Sequence, residues 1–485
     1  MSSTGQLAMM DSMGRVPPAQ MIYSDLLGVS YPSKKRQVEF GCSNGDSFDT
    51  SGKNTCEIPL ALGTGEWLDL SNSYFKITIK NNATGQNVSF KTPHDIIDRL
   101  QWLGTNSEML EDQQNYNLLA RFLCLHQLGE DGWSYNSALG EFQKSTVQKD
   151  YVAADITTGT GGSPTDAELA TILNQVTAGN STAGMGSHFG GVNNSANTAK
   201  TGFGVIKNNE YLTVCFPLIS GITSTNKYLP VGMLKNRSLT LRVTLARAMK
   251  AFNVATDTAA IVQFTNVAFV ADVITMAETY NEKFQNMIRS IGDVSLHYTT
   301  YKNYQDAHAA SATSYNGLIP DSSRSLKSIF TTFIKQTEAN NTDALQLVNP
   351  VLAKYQYQIL SETYPQADVN AEAGTTINRN QAFANLHIAL GQLGSISSRC
   401  AGNIDAYYNS TATEANSTTF ALGVCCESHN KSSNLLESGI SLQNSTQPCR
   451  LTATVANTAA LIVNHFTLSD RLLMIDADGN LRSSG

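Results

Sequence analysis

Charge is what this sequence has least of. Of 485 residues, 33 are Lys or Arg and 40 are Asp or Glu, a charged share of 15% against about 25% in an ordinary soluble domain. That shortage excludes a large helical protein, whose exposed faces need Glu, Lys and Arg. Cysteine is scarce as well, with eight in the chain and no CxxC pair or Cys/His spacing. Neither a disulfide scaffold nor a zinc module is therefore written here. Cys124 in RFLCLHQL and Cys215 in YLTVCFPL sit inside apolar runs and read as small core residues. The adjacent Cys425 and Cys426 would point to opposite faces of a strand. Long hydrophobic runs are missing too: the most apolar stretch, 261–277, is broken by Gln263, Thr265, Asn266, Asp272 and Thr275. No segment reads as membrane-spanning. The N-terminus, MSSTGQLAMMDSMGR, lacks the apolar core of a secretory signal, so synthesis and assembly inside the cell are expected.

Catalytic constellations are equally absent. There is no HExxH, no G-x-S-x-G elbow and no lysine-bearing phosphate loop; the GTGGS run lacks the lysine and its spacing. The eight histidines are scattered, none at the i, i+4 spacing of helical metal ligands. His387, on the apolar face of a predicted helix, reads as a core or interface histidine. Asp476, Asp478 and Gly479 resemble the opening of a calcium loop, but the required Glu would fall beyond residue 485, so a turn is the reading. Carboxylate pairs such as Glu108/Glu111 and Glu278/Glu282 sit at ordinary helical spacing. No enzyme, cofactor or metal site is expected.

Net charge is −7, which argues against a protein that coats nucleic acid or reads its sequence. The compact basic cluster is Lys34, Lys35 and Arg36. It reads either as a solvated loop or as an inner-face arm near a genome or an anionic membrane. Sequons at Asn82, Asn236, Asn409 and Asn444 are what any chain rich in Asn, Ser and Thr contains.

What the sequence does have is Ser, Thr, Asn and Gly between short alternating apolar segments, the grammar of an all-β protein with long loops. A length of 485 residues favours two domains. In YFKITIKN, Phe75, Ile77 and Ile79 alternate with Lys76, Thr78 and Lys80, which predicts a half-buried strand. Further strands are predicted at Cys56–Leu62, Glu210–Ser220, Leu239–Leu245 and Val262–Met276. The last is apolar on both parities, as in a strand buried on both faces. In the second half they fall at Val294–Tyr301, Leu326–Phe333, Lys354–Leu360, Thr419–Val424, Arg450–Val455 and Ala459–Phe466, with a closing hairpin at Asp478-Gly479. Helices are predicted at Glu108–Leu125, Glu278–Ser290 and Asn380–Leu390, and a short one at Asp166–Val176 inside a Gly/Thr-rich surface insertion, 152–204. The domain reading is an N-terminal arm over 1–36, a first domain over 37–277, a helical linker over 278–290 and a second domain over 291–485.

Several segments in order then carry a resemblance: LDLSNSYFKITIKN (68–81), KYLPVGMLKNRSLTLRVTLA (227–246), NVAFVADVITM (266–276), IPDSSRSLKSIFTTF (319–333), KYQYQILSETYPQ (354–366), and FALGVCCE, ESGISL and LIVNHFTLSDRLLMIDADGNL toward the end. Together they resemble double jelly-roll major capsid proteins, in particular those of polinton-like viruses and their virophage and adintovirus relatives. The resemblance implies two tandem eight-stranded jelly-roll β-sandwiches with a few short helices in loops and linker. It implies a virion shell of homotrimers with pseudo-hexagonal outline tiling an icosahedron, and contacts with neighbouring trimers and with minor capsid and penton proteins. By the same analogy the N-terminal arm would meet a genome or an internal membrane. The alternative is a virion attachment protein binding glycans through its loops; a β-sandwich hydrolase has no residues to name.

Overall fold

A computed structural model describes the chain from Tyr31 to Ser484. Outside the described residues lie 1–30 and 141–204, the shorter stretches 83–87, 253–261, 337–344, 394–418 (Tyr407 excepted) and 429–437, and scattered single or paired positions. The expected insertion and its helix at 166–176 fall there.

Sixteen strands build two antiparallel sandwiches. The first holds β1 (Ser33–Gly41), β2 (Thr55–Ala61), β3 (Glu66–Asn81), β4 (Ile97–Leu103), β5 (Met109–Gln114), β6 (Tyr211–Phe216), β7 (Ser238–Leu245) and β8 (Val262–Met276). The second holds β9 (Asp293–His308), β10 (Ser314–Ile319), β11 (Leu326–Lys335), β12 (Leu352–Ile359), β13 (Glu362–Asn370), β14 (Ala421–Cys425), β15 (Cys449–Val455) and β16 (Leu461–Asp476). Hydrogen bonding gives the orders β1-β8-β3-β6 and β2-β7-β4-β5 in the first half, and β9-β16-β11-β14 and β10-β15-β12-β13 in the second. Counted from one within each half, both read 1-8-3-6 and 2-7-4-5, so the second half repeats the first strand for strand. A short strand extends one sheet of each half, Ser47–Asp49 on β8 and Leu481–Ser484 on β16, and each half also has a short two-stranded ribbon.

Alternation explains the faces. In β7, Leu239, Leu241, Val243 and Leu245 are buried, while Thr240, Arg242 and Thr244 are half-exposed. β8 is the central strand of its sheet and carries buried apolar residues on both parities. Its register slips twice, once at Asn266, whose φ is +50°. Such bulges bend a long strand and raise its twist.

Three expectations are corrected. The helix predicted over Glu108–Leu125 is a strand, β5, followed by helix α1 (Tyr116–Gln127), with Asn115 left-handed between them. The acidic residues of 108–112 do not open a helix: Asp112 accepts from Nε and Nη2 of Arg99 across the strand pair, each at 2.7 Å, and Glu111 is buried. The chain is already paired at Ser33, so Lys34, Lys35 and Arg36 are strand residues opposite Thr275, Ile274 and Val273, not the end of an arm. β1, β4, β10 and β13 were not foreseen; β1 and β13 are mostly exposed, and β13 reads ETYPQADVN, too polar to show a period.

Two further helices among the described residues are α2 (Glu278–Ile291), between the halves, and α3 (Asn380–Ala389). Asp476 accepts from the backbone of Asp478 and Asn480, and Gly479 takes φ +77°, so the closing turn forms as predicted.

The apolar core runs without a break through both halves. Phe122 of α1 packs on Phe330 of β11 at 5.4 Å between ring centroids, and Tyr298 of β9 donates to the Leu110 carbonyl at 2.7 Å. The two sandwiches are fused along β5 and β9.

Candidate functional site

Buried polar groups are where chemistry would be concentrated, and the buried carboxylates here are held by structural partners, while His126 Nδ1, His308 Nε2 and His387 Nε2 have none among the described residues. Glu111 on β5 is buried at the seam between the halves. Its carboxylate accepts from Gly221 N (2.9 Å), Ile222 N (3.4 Å), Gln113 Nε2 (2.9 Å), Thr300 Oγ1 (2.8 Å) and Ser220 Oγ. Ser220 receives the Trp102 indole at 3.0 Å. A carboxyl group buried without donors would cost several kcal/mol; donors from both halves remove that cost and tie them together. Gly221 has no room for a side chain, because an added Cβ would run into the Thr299 carbonyl.

Asp95 and Arg121 form a fully buried pair at 2.5 Å, and Thr92 donates to the same carboxylate. His94 bonds Tyr116 Oη at 3.0 Å, and His465 lies between Thr331 Oγ1 and Tyr315 Oη, each at 2.9 Å. Burial pushes the pKa of His94 down to about 3 and that of His465 down to about 4. His126 on α1 bonds the Thr419 carbonyl of the second half at 2.8 Å, and burial pushes it down to about 3. His387 on α3 is buried, packs against Phe383 at 4.3 Å and pairs with Gln392 at 3.2 Å, in keeping with the core-or-interface reading. Among the described residues no cluster of three or more His, Cys, Asp or Glu could hold a metal ion, and no helix is long and apolar enough to cross a membrane.

Lys34, Lys35 and Arg36 are not brought together on one face, since successive strand residues alternate. Lys35 pairs with Asp272 at 2.6 Å and Arg36 with Glu66 at 2.8 Å. Those partners come from β8 and the start of β3, far away in the sequence, and no local signal announces them.

The loops are sorted by end. The connection from β3 to β4 meets the one from β5 to β6 through the strand pair Val88–Ser89 with Val205–Ile206, at the Asn81 end of β3. In both halves the connection from fifth to sixth strand carries a helix and the longest stretch of chain: α1 with 141–204, and α3 with 394–418. At the other end of β3, about 50 Å away at ~3.3 Å per residue, lie α2 and the C-terminal hairpin, where Lys235 N bonds the Gly479 carbonyl at 2.9 Å.

That end also holds the larger cavity, a cleft of about 1260 Å³ between the halves. Trp67, Tyr280 and Phe284 form its aromatic wall, with Trp67 and Phe284 edge to face at 4.8 Å. A smaller cavity of about 280 Å³ lies at the seam beside Asp112, Lys302 and Arg471. Neither is lined by Glu111, Asp95, Arg121 or the buried His94, His126 and His465.

Two sandwiches with one strand order, fused in tandem, define a double jelly-roll protein. The same fold is found in viral capsid subunits. A chain of the PBCV-1 virus capsid superposes with a TM-score of 0.54 at 10% identity, over 96% of this chain and 100% of that one. A chain of the Sputnik virophage structure gives 0.54 at 11%, over 97% and 92%. The Faustovirus major capsid protein gives 0.52 at 8%, over 93% and 92%. No family model and no curated protein matches the sequence.

Proposed function

We propose that the chain is the major capsid protein of a double-stranded DNA virus, a non-enzymatic subunit that assembles as homotrimers of pseudo-hexagonal outline and tiles an icosahedral shell. The observation that carries this is the strand-for-strand repeat of one sandwich within a single fused body. A trimer of such chains presents six like domains, so one chain can meet six neighbours with nearly equivalent contacts. The whole-length likeness to capsid chains supports the reading, and so does the low charge, because unpaired charges in an interface are costly.

In this reading the loop-rich end, with 152–204, faces outward, and the end carrying Ser33–Arg36, α2 and the C-terminal hairpin faces the interior. Neighbouring trimers and minor capsid and penton proteins are the partners, and a genome or membrane would be met by the N-terminal residues. The segments quoted above favour a polinton-like or virophage-like source. A glycan-binding attachment role has no observation of its own among the described residues.

Light scattering on the purified chain tests the proposal. The expected mass at micromolar concentration in physiological salt is three times the 52.4 kDa of one chain; a strict monomer overturns it. For the orientation, protease applied to intact particles should leave the chain before Lys35 uncut, and rapid clipping there without disassembly overturns the inward placement.

A further inference from the structure

The cleft at the linker end is a large, mostly apolar concavity of about 1260 Å³, and a monomer seldom leaves such a surface uncovered. Its walls come from both halves: Trp67 and Ile274 from the first, Leu296 and Ile475 from the second, Tyr280 and Phe284 from the helix between them. Trp67 is fixed by a 3.0 Å bond from its indole to Asn281 Oδ1. The wall is therefore rigid and preformed.

The described chain begins at the rim of this cleft. Tyr31 lines it, with its ring 5.1 Å from Tyr280, and the next residue is anchored by a bond from Ala277 N to the Pro32 carbonyl at 3.1 Å. Thirty residues precede Tyr31, and the nearest apolar group among them is MIYSDLLGV, 21–29. Six of those nine residues are apolar or aromatic, and Asp25 is their one charge. The exposed Lys227, which also lines the cleft, carries the opposite, complementary charge.

We propose that the segment Met21–Val29 of the same chain docks in this cleft, as an apolar plug that clamps the first half to the second through Leu26 and Leu27. The tether decides between this occupant and another copy. Val29 is two residues from Tyr31, within about 7 Å at full extension, so it cannot leave the cleft's neighbourhood. A short tether gives an effective concentration in the millimolar range, well above that of a second molecule in dilute solution. The inference does not depend on the capsid reading and holds for the chain as a monomer or a trimer.

Hydrogen exchange on the full-length protein, followed by mass spectrometry at about 1 and about 20 µM, tests it. The amides of 21–29 should exchange at least roughly tenfold slower than coil rates, equally at both concentrations. Two variants should each return them to coil rates: Leu26→Asp with Leu27→Asp in the segment, and Tyr228→Asp on the exposed rim of the cleft. Unchanged protection of β3 and β8 in both variants shows that the fold survives. Coil rates in the unaltered protein overturn the proposal. Protection that appears only at the higher concentration overturns it in favour of a neighbouring copy. Protection that survives both variants places the segment elsewhere and overturns it too.

Discussion

His94, His126 and His465 are buried, and each bonds through a neutral ring nitrogen. Their folded pKa values, about 3, 3 and 4, lie below the ordinary 6.5. The unfolded chain binds protons near pH 6.5 that the folded chain refuses until much lower pH. Stability is therefore intact above 6.5 and falls as the pH drops below it, by about 1.4 kcal/mol per pH unit for each ring. Moving from pH 7.5 to 5.5 should cost about 4 kcal/mol for the three together, read as a lower denaturation midpoint in urea; a midpoint unchanged over that range contradicts the assignment. Asp95 and Arg121 make a second prediction. Asp95→Asn removes the carboxylate that the buried Arg121 guanidinium faces at 2.5 Å and should cost about 3–5 kcal/mol, while a combined Asp95→Leu, Arg121→Met variant should recover most of it, as equilibrium unfolding of both variants would show. None of these groups is assigned a role by the sequence, where among the histidines only His387 has a reading. Glu111 was read as a solvated helix acid because its donors, from 113, 220–222 and 300, are mostly remote in sequence.

Strands whose faces differ in solvent were legible, and strands whose faces do not differ were not. β7 alternates Leu and Val with polar residues and was placed within one residue of its bounds. β13 is exposed along nearly its whole length and left no period. β5 was misread because Leu110, Tyr116, Leu119 and Phe122 happen to keep helical spacing across the junction at Asn115; the left-handed residue that separates strand from helix has no strong signature. β5 is also the element that joins the halves. Glu111→Ala should strand buried donors from 220–222 and lower stability by about 3 kcal/mol, measured by chemical denaturation. Gly221→Ala should act on the same seam, because its Cβ would press the Thr299 carbonyl, at about 1–3 kcal/mol. If both variants unfold with the unaltered midpoint, the seam does not hold the halves together.

For the molecule as a whole, length and composition were enough to indicate two β-rich halves with long loops, and helix α2 lies where the chain was divided. The repeated strand order was not readable, because the halves share topology without shared residues; it depends on pairings such as β1 with β8, more than two hundred residues apart. The capsid reading comes from ordered segments rather than from any site; the fold adds one chain with two bodies of like strand order, and the proposed trimer would present six of them. Electron microscopy of the purified full-length protein tests that claim most directly. Trimeric particles of hexagonal outline, each showing six like lobes and packing edge to edge into sheets or shells as concentration rises, are the predicted result; separate two-lobed monomers at every concentration would contradict it.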